Sequence, residues 1–77
     1  MPPILGSYKP RIVIKSLRRA GFVIHHQTGS HAILYKAGHP NPITVPIHNR
    51  DLKRGTLLAI LNQANLSKEQ FLELLKK

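Results

Sequence analysis

The chain has no cysteine and very few carboxylates. Its 77 residues include only three acidic ones, Asp51, Glu69 and Glu73. Without cysteine, neither a disulfide bond nor a thiolate metal site can form, and we expect a protein of the reducing cytoplasm. Three scattered carboxylates cannot supply the clustered ligands of a two-metal nuclease or the facing pair of a glycosidase. The sequence also lacks a P-loop and a dinucleotide-binding fingerprint, so we expect no small-molecule cofactor.

Long hydrophobic runs are absent as well. No apolar segment approaches the roughly 18–20 residues that a membrane-spanning helix needs. The N-terminus lacks the basic region and apolar core of a secretory signal. We therefore expect no membrane among the partners of this protein.

Positive charge is the main compositional feature of the chain. Twelve Lys and Arg residues against three Asp and Glu give a formal net charge of +9 at pH 7. Charge of this size concerns partners more than fold. Nucleic acid is the leading candidate partner and an acidic protein is the second. The alternative is that the positive charge only keeps a small basic protein soluble.

Hydrophobic periodicity and turn residues predict one helix, three strands and two further helices. The predicted elements are a helix over 10–20, strands over 22–26, 31–36 and 43–47, a second helix beginning between Asp51 and Thr56, and a third helix after Ser67. Pro10 suits a first helical turn and Gly21 a helix C-terminus. Pro46 predicts an edge position for its strand.

The two last helices carry the clearest end signals. Asn65 is suited to the left-handed position that follows a helix. Ser67 with Gln70 forms a capping box, and Leu66 can pack against Phe71 as a hydrophobic staple.

This order predicts an α+β fold, α-β-β-β-α-α. Strands joined by hairpins form an antiparallel sheet, which must bury one face under helices. The result is a small sandwich that resembles double-stranded-RNA-binding domains. We assign a single domain to residues 10–77 and an N-terminal lead-in to residues 1–9.

The run Gly29-Ser30-His31 carries the most informative chemistry. Histidine is the side chain best suited to proton transfer near neutral pH. RNA supplies its own nucleophile, the 2′-hydroxyl, so cleavage requires only positioning, proton transfer and stabilisation of charge on phosphate. We therefore predict His31 as a catalytic residue, with the Ser30 hydroxyl as an assisting group and no bound metal.

A second histidine is expected beside the first. If Thr28 and Gly29 are the two turn residues, His26 lies opposite His31, with Cβ atoms about 5 Å apart. His26 could then assist as a second acid or base, or the pair could supply two ligands of a metal site. The alternative is that these histidines are ordinary packing residues, and that alternative is favoured for His25 and His39.

Several other side chains are candidates for RNA contact. Tyr35 could stack on a base or pack in the core, and the core is favoured. His48 is interpreted as a structural or RNA-contacting residue. The basic residues predicted to bind RNA are Arg18, Arg19, Lys36, Lys53 and Arg54.

Four short motifs together resemble a known family. They are Arg-Ala-Gly-Phe at 19–22, Gly-Ser-His at 29–31, Val-Pro-Ile-His at 45–48 and Arg-Gly-Thr-Leu at 54–57. In their order and spacing they resemble the HicA (YcfA-like) mRNA interferase toxins over residues 10–75. Asn65 departs from the glycine typical of the family, a change that a left-handed turn tolerates. His26 stands where many members carry a basic or polar residue.

The resemblance implies a fold like that of double-stranded-RNA-binding domains and metal-independent cleavage of mRNA. It places the catalytic histidine at His31 and implies a HicB-type antitoxin as the inhibitory partner. From the residues alone, two other functions remain open. One is a non-catalytic RNA- or DNA-binding module, and the other is a protein whose charge serves an acidic protein partner.

Overall fold

The computed structural model describes residues 5–77. Its elements follow the order expected from the sequence. They are α1 (Pro10–Arg19), β1 (Val23–Gln27), β2 (His31–Tyr35), β3 (Ile43–Pro46), α2 (Arg54–Gln63) and α3 (Lys68–Leu75).

Helix α1 begins and ends where its sequence signals place it. Pro10 occupies the first turn, where its missing N–H leaves no hydrogen bond unmade. Gly21 follows the helix with a φ of +104°, a left-handed conformation that favours glycine. Val13 and Leu17 face the core and are fully buried. One helical face therefore packs, while the cationic side chains stay exposed.

The sheet is antiparallel with strand order β1-β2-β3, so β3 lies at an edge and accommodates Pro46, as predicted. Strand β1 contains a bulge. Ile24 lies opposite Leu34, but His26 lies opposite Ile33, which leaves His25 as the extra residue. Such a bulge interrupts the alternation of side chains between the two faces of the sheet.

The predicted pairing of His26 with His31 is wrong. Thr28 pairs with His31 through a 2.9 Å bond from the Thr28 N–H to the His31 carbonyl. The two turn residues are therefore Gly29 and Ser30, one position later than expected. The Thr28 hydroxyl selects this register because it accepts backbone hydrogen bonds inside the turn. His26 is thus a diagonal neighbour of His31, a relation that places Cβ atoms about 7–8 Å apart.

All three helices lie on one side of the sheet, as predicted. Alternate residues of β2 and β3 point into this layer, and Ala32, Leu34, Ile43 and Val45 are fully buried. The opposite face of the sheet carries no helix among residues 5–77. His31 and Tyr35 are exposed on this uncovered face, which we call the open face. The predicted core position of Tyr35 is therefore wrong. Side chains alternate along β2, and because Ala32 and Leu34 take the core side, Tyr35 points outward.

The predicted ends of α2 and α3 are confirmed. Asn65 has a φ of +57°, the left-handed conformation expected after α2. Ser67 accepts a bond from the backbone N–H of Gln70, whose side chain accepts one from the Ser67 N–H. Leu66 packs against the core that includes Phe71. These caps fix the turn that sends α3 back across α1.

The N-terminal segment contributes to the core. Residues 1–4 of the expected lead-in lie outside the described residues. Leu5 is buried, and the Tyr8 ring meets the Phe71 ring edge to face with centroids 5.1 Å apart. The carbonyl of Tyr8 also accepts a 2.8 Å bond from the backbone N–H of Leu52. Residues 5–9 therefore tie α3 to the loop before α2.

Candidate active site

The turn between β1 and β2 holds the backbone of His31 in place. The Thr28 hydroxyl accepts hydrogen bonds from the backbone N–H groups of Ser30, at 3.2 Å, and His31, at 3.1 Å. The backbone bond from the Thr28 N–H to the His31 carbonyl adds to these contacts, so Thr28 holds the far end of the turn through both its side chain and its backbone. Sequence reasoning treated Thr28 only as a turn residue. Its signal was its position three residues before the histidine, since threonine hydroxyls commonly bond backbone groups in turns.

The His31 imidazole is exposed, and within residues 5–77 its ring makes one side-chain hydrogen bond. Its Nδ1 lies 3.1 Å from the Ser30 hydroxyl, within hydrogen-bond distance. This contact occupies one ring nitrogen and leaves Nε2 for a ligand. A fixed partner on one nitrogen orients the ring and sets which nitrogen meets the substrate. The structure thus brings together two of the predicted site residues, His31 and Ser30.

The bulge in β1 adds two more imidazoles to the open face. His26 lies opposite Ile33, an outward-facing residue of β2. The His25 ring packs edge to face against Tyr35, with centroids 4.7 Å apart. Because the bulge places consecutive residues on the same side, both histidines lie on the face that carries His31. No residue of β1 signals this irregularity in the sequence.

The open face is also apolar in part. Val23 is 60% exposed and Tyr35 41% exposed, and both lie on this face with the half-buried Ile33. An exposed apolar surface next to polar rings is typical of a binding surface. Tyr35 presents an aromatic ring on which a base can stack.

The remaining histidines have structural contacts. His39 Nε2 lies 2.8 Å from the carbonyl oxygen of Gln63, and its ring packs on Phe22. His48 Nδ1 accepts a 3.2 Å bond from the backbone N–H of Arg50. His39 therefore belongs to the packing, as the sequence interpretation favoured. His48 supports a loop and also lines a groove described below.

The predicted RNA-binding cations are exposed but have different surroundings. Arg18 lies on the outer surface of α1. Arg19 donates from Nη1 to the carbonyl of Leu74 at 2.8 Å, so its guanidinium also caps the C-terminus of α3. Lys36 lies over the Phe22 ring, 5.6 Å from its centroid. Lys53 and Arg54 mark the start of α2, whose first turn has no side-chain cap.

Two further properties bear on the chemistry. Within residues 5–77, no three histidine or acidic side chains lie close enough together to hold a metal ion. In the same part of the chain, no helix has the length and apolar character needed to cross a bilayer.

Comparison with known families relates the chain to a group of bacterial toxins. The family model for the HicA toxin of bacterial toxin–antitoxin systems matches residues 10–66. No curated protein sequence matches the chain. The matched segment contains α1, the whole sheet, the His31 turn and α2. The chain therefore belongs to the HicA toxin family.

Proposed function

We propose that this toxin is an endoribonuclease that cleaves mRNA with His31 as its catalytic residue. The observation that carries the proposal is the anchored turn. Two hydrogen bonds join Thr28 to the His31 backbone, a third joins the Thr28 hydroxyl to the Ser30 N–H, and the Ser30 hydroxyl orients the His31 ring. An exposed imidazole held this firmly, in a chain with a net charge of +9, suits proton transfer on a polyanion.

The reaction needs a single proton carrier. Nε2 of His31 takes the proton from the 2′-hydroxyl as that oxygen attacks the adjacent phosphorus. The bond between phosphorus and the 5′-oxygen breaks, and the imidazolium returns the proton to the departing oxygen. The products are a 2′,3′-cyclic phosphate and a 5′-hydroxyl, so atoms and charge balance without a metal ion. His26, the diagonal neighbour, is the nearest candidate on β1 to assist.

Cations around the sheet hold the RNA backbone. Arg18, Lys36, Lys53 and Arg54 are exposed, and each can contact a phosphate. Arg19 can do so only with the part of its guanidinium that does not bond α3. Because such contacts release counterions, RNA affinity should fall steeply as salt rises.

A HicB-type antitoxin would inhibit by covering the open face. Val23 and Tyr35 offer apolar contact there, and His31 lies on the same face. An acidic partner would be attracted rapidly by the positive charge of the toxin. An mRNA substrate and an antitoxin partner would both require the protein to act in the cytoplasm.

The decisive experiment compares wild type and His31→Ala on RNA in EDTA. The matched control is His39→Gln, which removes an imidazole at the other end of β2 and keeps an amide donor for the Gln63 carbonyl. We expect cleavage by wild type and control and none by His31→Ala, with all three binding RNA equally. Equal cleavage by His31→Ala would contradict the assignment of the catalytic residue. RNA binding without cleavage by wild type would instead indicate a non-catalytic binding module.

A further inference from the structure

A groove of about 450 Å³ lies on the helix side of the sheet, near the His31 turn. The N-terminal end of α1 forms one wall, through Lys9 and Arg11. The end of β1 forms another, and the residues that follow β3 close the third side. Edge strand β1 is only partly covered by α1, and Ile24 remains 37% exposed at the floor.

The chemistry of the groove matches a nucleobase with its phosphates. Its floor consists of Ile14, Ile24 and Ile47, which present an apolar surface. Gln27 and Asn49 add side-chain amides, which can both donate and accept hydrogen bonds. Lys9 and Arg11 supply positive charge, and none of the carboxylates in residues 5–77 lines the groove. An apolar floor with a few polar groups is the usual composition of a small-ligand site.

The groove is adjacent to His31 along the chain and in space. Gln27 immediately precedes Thr28, whose hydroxyl holds the His31 backbone. Ile47 donates from its backbone N–H to the carbonyl of Ser30 at 2.8 Å. The turn containing Gly29 therefore separates the groove from the open face.

Gly29 has no structural need to be glycine. A side chain at this position would have no atom of residues 5–77 within 4 Å of its Cβ, and the φ of Gly29 lies outside the left-handed region. Where neither φ nor packing within the protein requires a glycine, its small size is typical of a place where a ligand or another backbone approaches closely.

We propose that the groove is a base-recognition subsite. A single RNA strand crosses the turn at Gly29, which places one phosphate at His31 and a neighbouring base in the groove. The base lies on the isoleucine floor, and Gln27 and Asn49 bond its edge. This inference rests on the proposed ribonuclease function and adds the residues that select the cleavage position.

The test maps cleavage positions in a random-sequence RNA pool for wild type, Gln27→Ala and Asn49→Ala. The matched control is Asn62→Ala, which removes an exposed amide from α2. We expect wild type to prefer one base beside the cleaved bond, and each groove variant to weaken that preference roughly three- to tenfold, the loss of one hydrogen bond. The control variant Asn62→Ala should keep the base preference of the wild type. A wild type without base preference, or unchanged preferences in both variants, would overturn the proposal.

A binding measurement separates failure of the subsite from failure of the nuclease function. A short 2′-O-methyl RNA has no free nucleophile, so it binds without being cut. We expect its addition to shift the NMR signals of Ile24, Gln27 and Asn49, whether or not unmodified RNA is cleaved. Shifts confined to the open face would refute the subsite and leave catalysis by His31 intact. Shifts at the groove caused by the antitoxin and not by RNA would assign the groove to the protein partner.

Discussion

Replacing Thr28 by valine should slow cleavage while leaving the fold intact. Valine has nearly the same shape as threonine but cannot accept the hydrogen bonds from the Ser30 and His31 N–H groups. The backbone bond between Thr28 and the His31 carbonyl remains. The turn therefore still forms, but the position of His31 within it is less restricted.

The size of the effect follows mainly from the two shorter hydrogen bonds that the hydroxyl accepts, because its contacts with the His31 carbonyl and the Ser30 hydroxyl are longer, at 3.4 and 3.5 Å. A protein hydrogen bond contributes about 0.5–1.5 kcal/mol net, and bonds at an exposed turn belong to the lower end, so the pair contributes about 1 kcal/mol. If that free energy is lost from the reactive geometry, kcat falls about fivefold, since 1.36 kcal/mol corresponds to tenfold. KM should hardly change, because Thr28 does not contact phosphate in the proposed complex.

Single-turnover cleavage of a labelled RNA by wild type, Thr28→Val and Thr28→Ser measures this effect. Serine keeps the hydroxyl, so Thr28→Ser should restore most of the rate that Thr28→Val loses. Thermal unfolding of each variant controls for general destabilisation. Cleavage by Thr28→Val at the wild-type rate would refute the positioning role. Equal loss in both variants would show that the hydroxyl alone does not position His31, because serine keeps that hydroxyl.

Three further predictions concern stability and binding. Ser16→Ala should stabilise the fold by about 1 kcal/mol, measured by urea unfolding, since the buried Ser16 hydroxyl has no partner within residues 5–77 and such a group is costly. Leu5→Ala should destabilise by about 2 kcal/mol or more, because Leu5 is buried; an unchanged unfolding midpoint would show that the segment is a loose lead-in. Arg18→Ala should weaken RNA binding alone, whereas Arg19→Ala should also lower Tm through loss of its bond to Leu74. Equal Tm values for the two arginine variants would contradict that distinction.

Much of the fold could be predicted because its signals are local. Pro10 and Gly21 bracket α1, and the Ser67–Gln70 capping box starts α3. Asn65 takes the left-handed conformation that its side chain tolerates. Each of these signals acts within one helical turn of the chain, so no knowledge of the tertiary structure is required.

One contact of the candidate site has a local origin in the sequence, but the wider geometry of that site does not. His31 and Ser30 are adjacent in sequence, so their contact follows from the turn. The position of His26 depends on the turn register and on the bulge at His25, and neither has a local signal in this sequence. A shift of one residue in the turn changes every pair across the hairpin. Tyr35 lies on the open face for a different reason: side chains alternate along β2, and Ala32 and Leu34 take the core side.

The distribution of charge explains how one small surface can serve both RNA and an antitoxin. None of the strand residues at 23–27, 31–35 and 43–46 is Asp, Glu, Lys or Arg, so all twelve Lys and Arg residues lie in helices, loops and termini. The open face therefore presents imidazole, phenol and aliphatic groups within a positive field produced by its surroundings. Phosphates would be attracted to the perimeter, and no Lys, Arg, Asp or Glu of the strands lies beside His31. A protein that covers the centre blocks His31 without having to displace ion pairs there, and its acidic groups can meet the same perimeter. Inhibitor and substrate would then compete for the same positive perimeter and the same uncharged strand residues around His31. Such competition allows reversible control of a toxin.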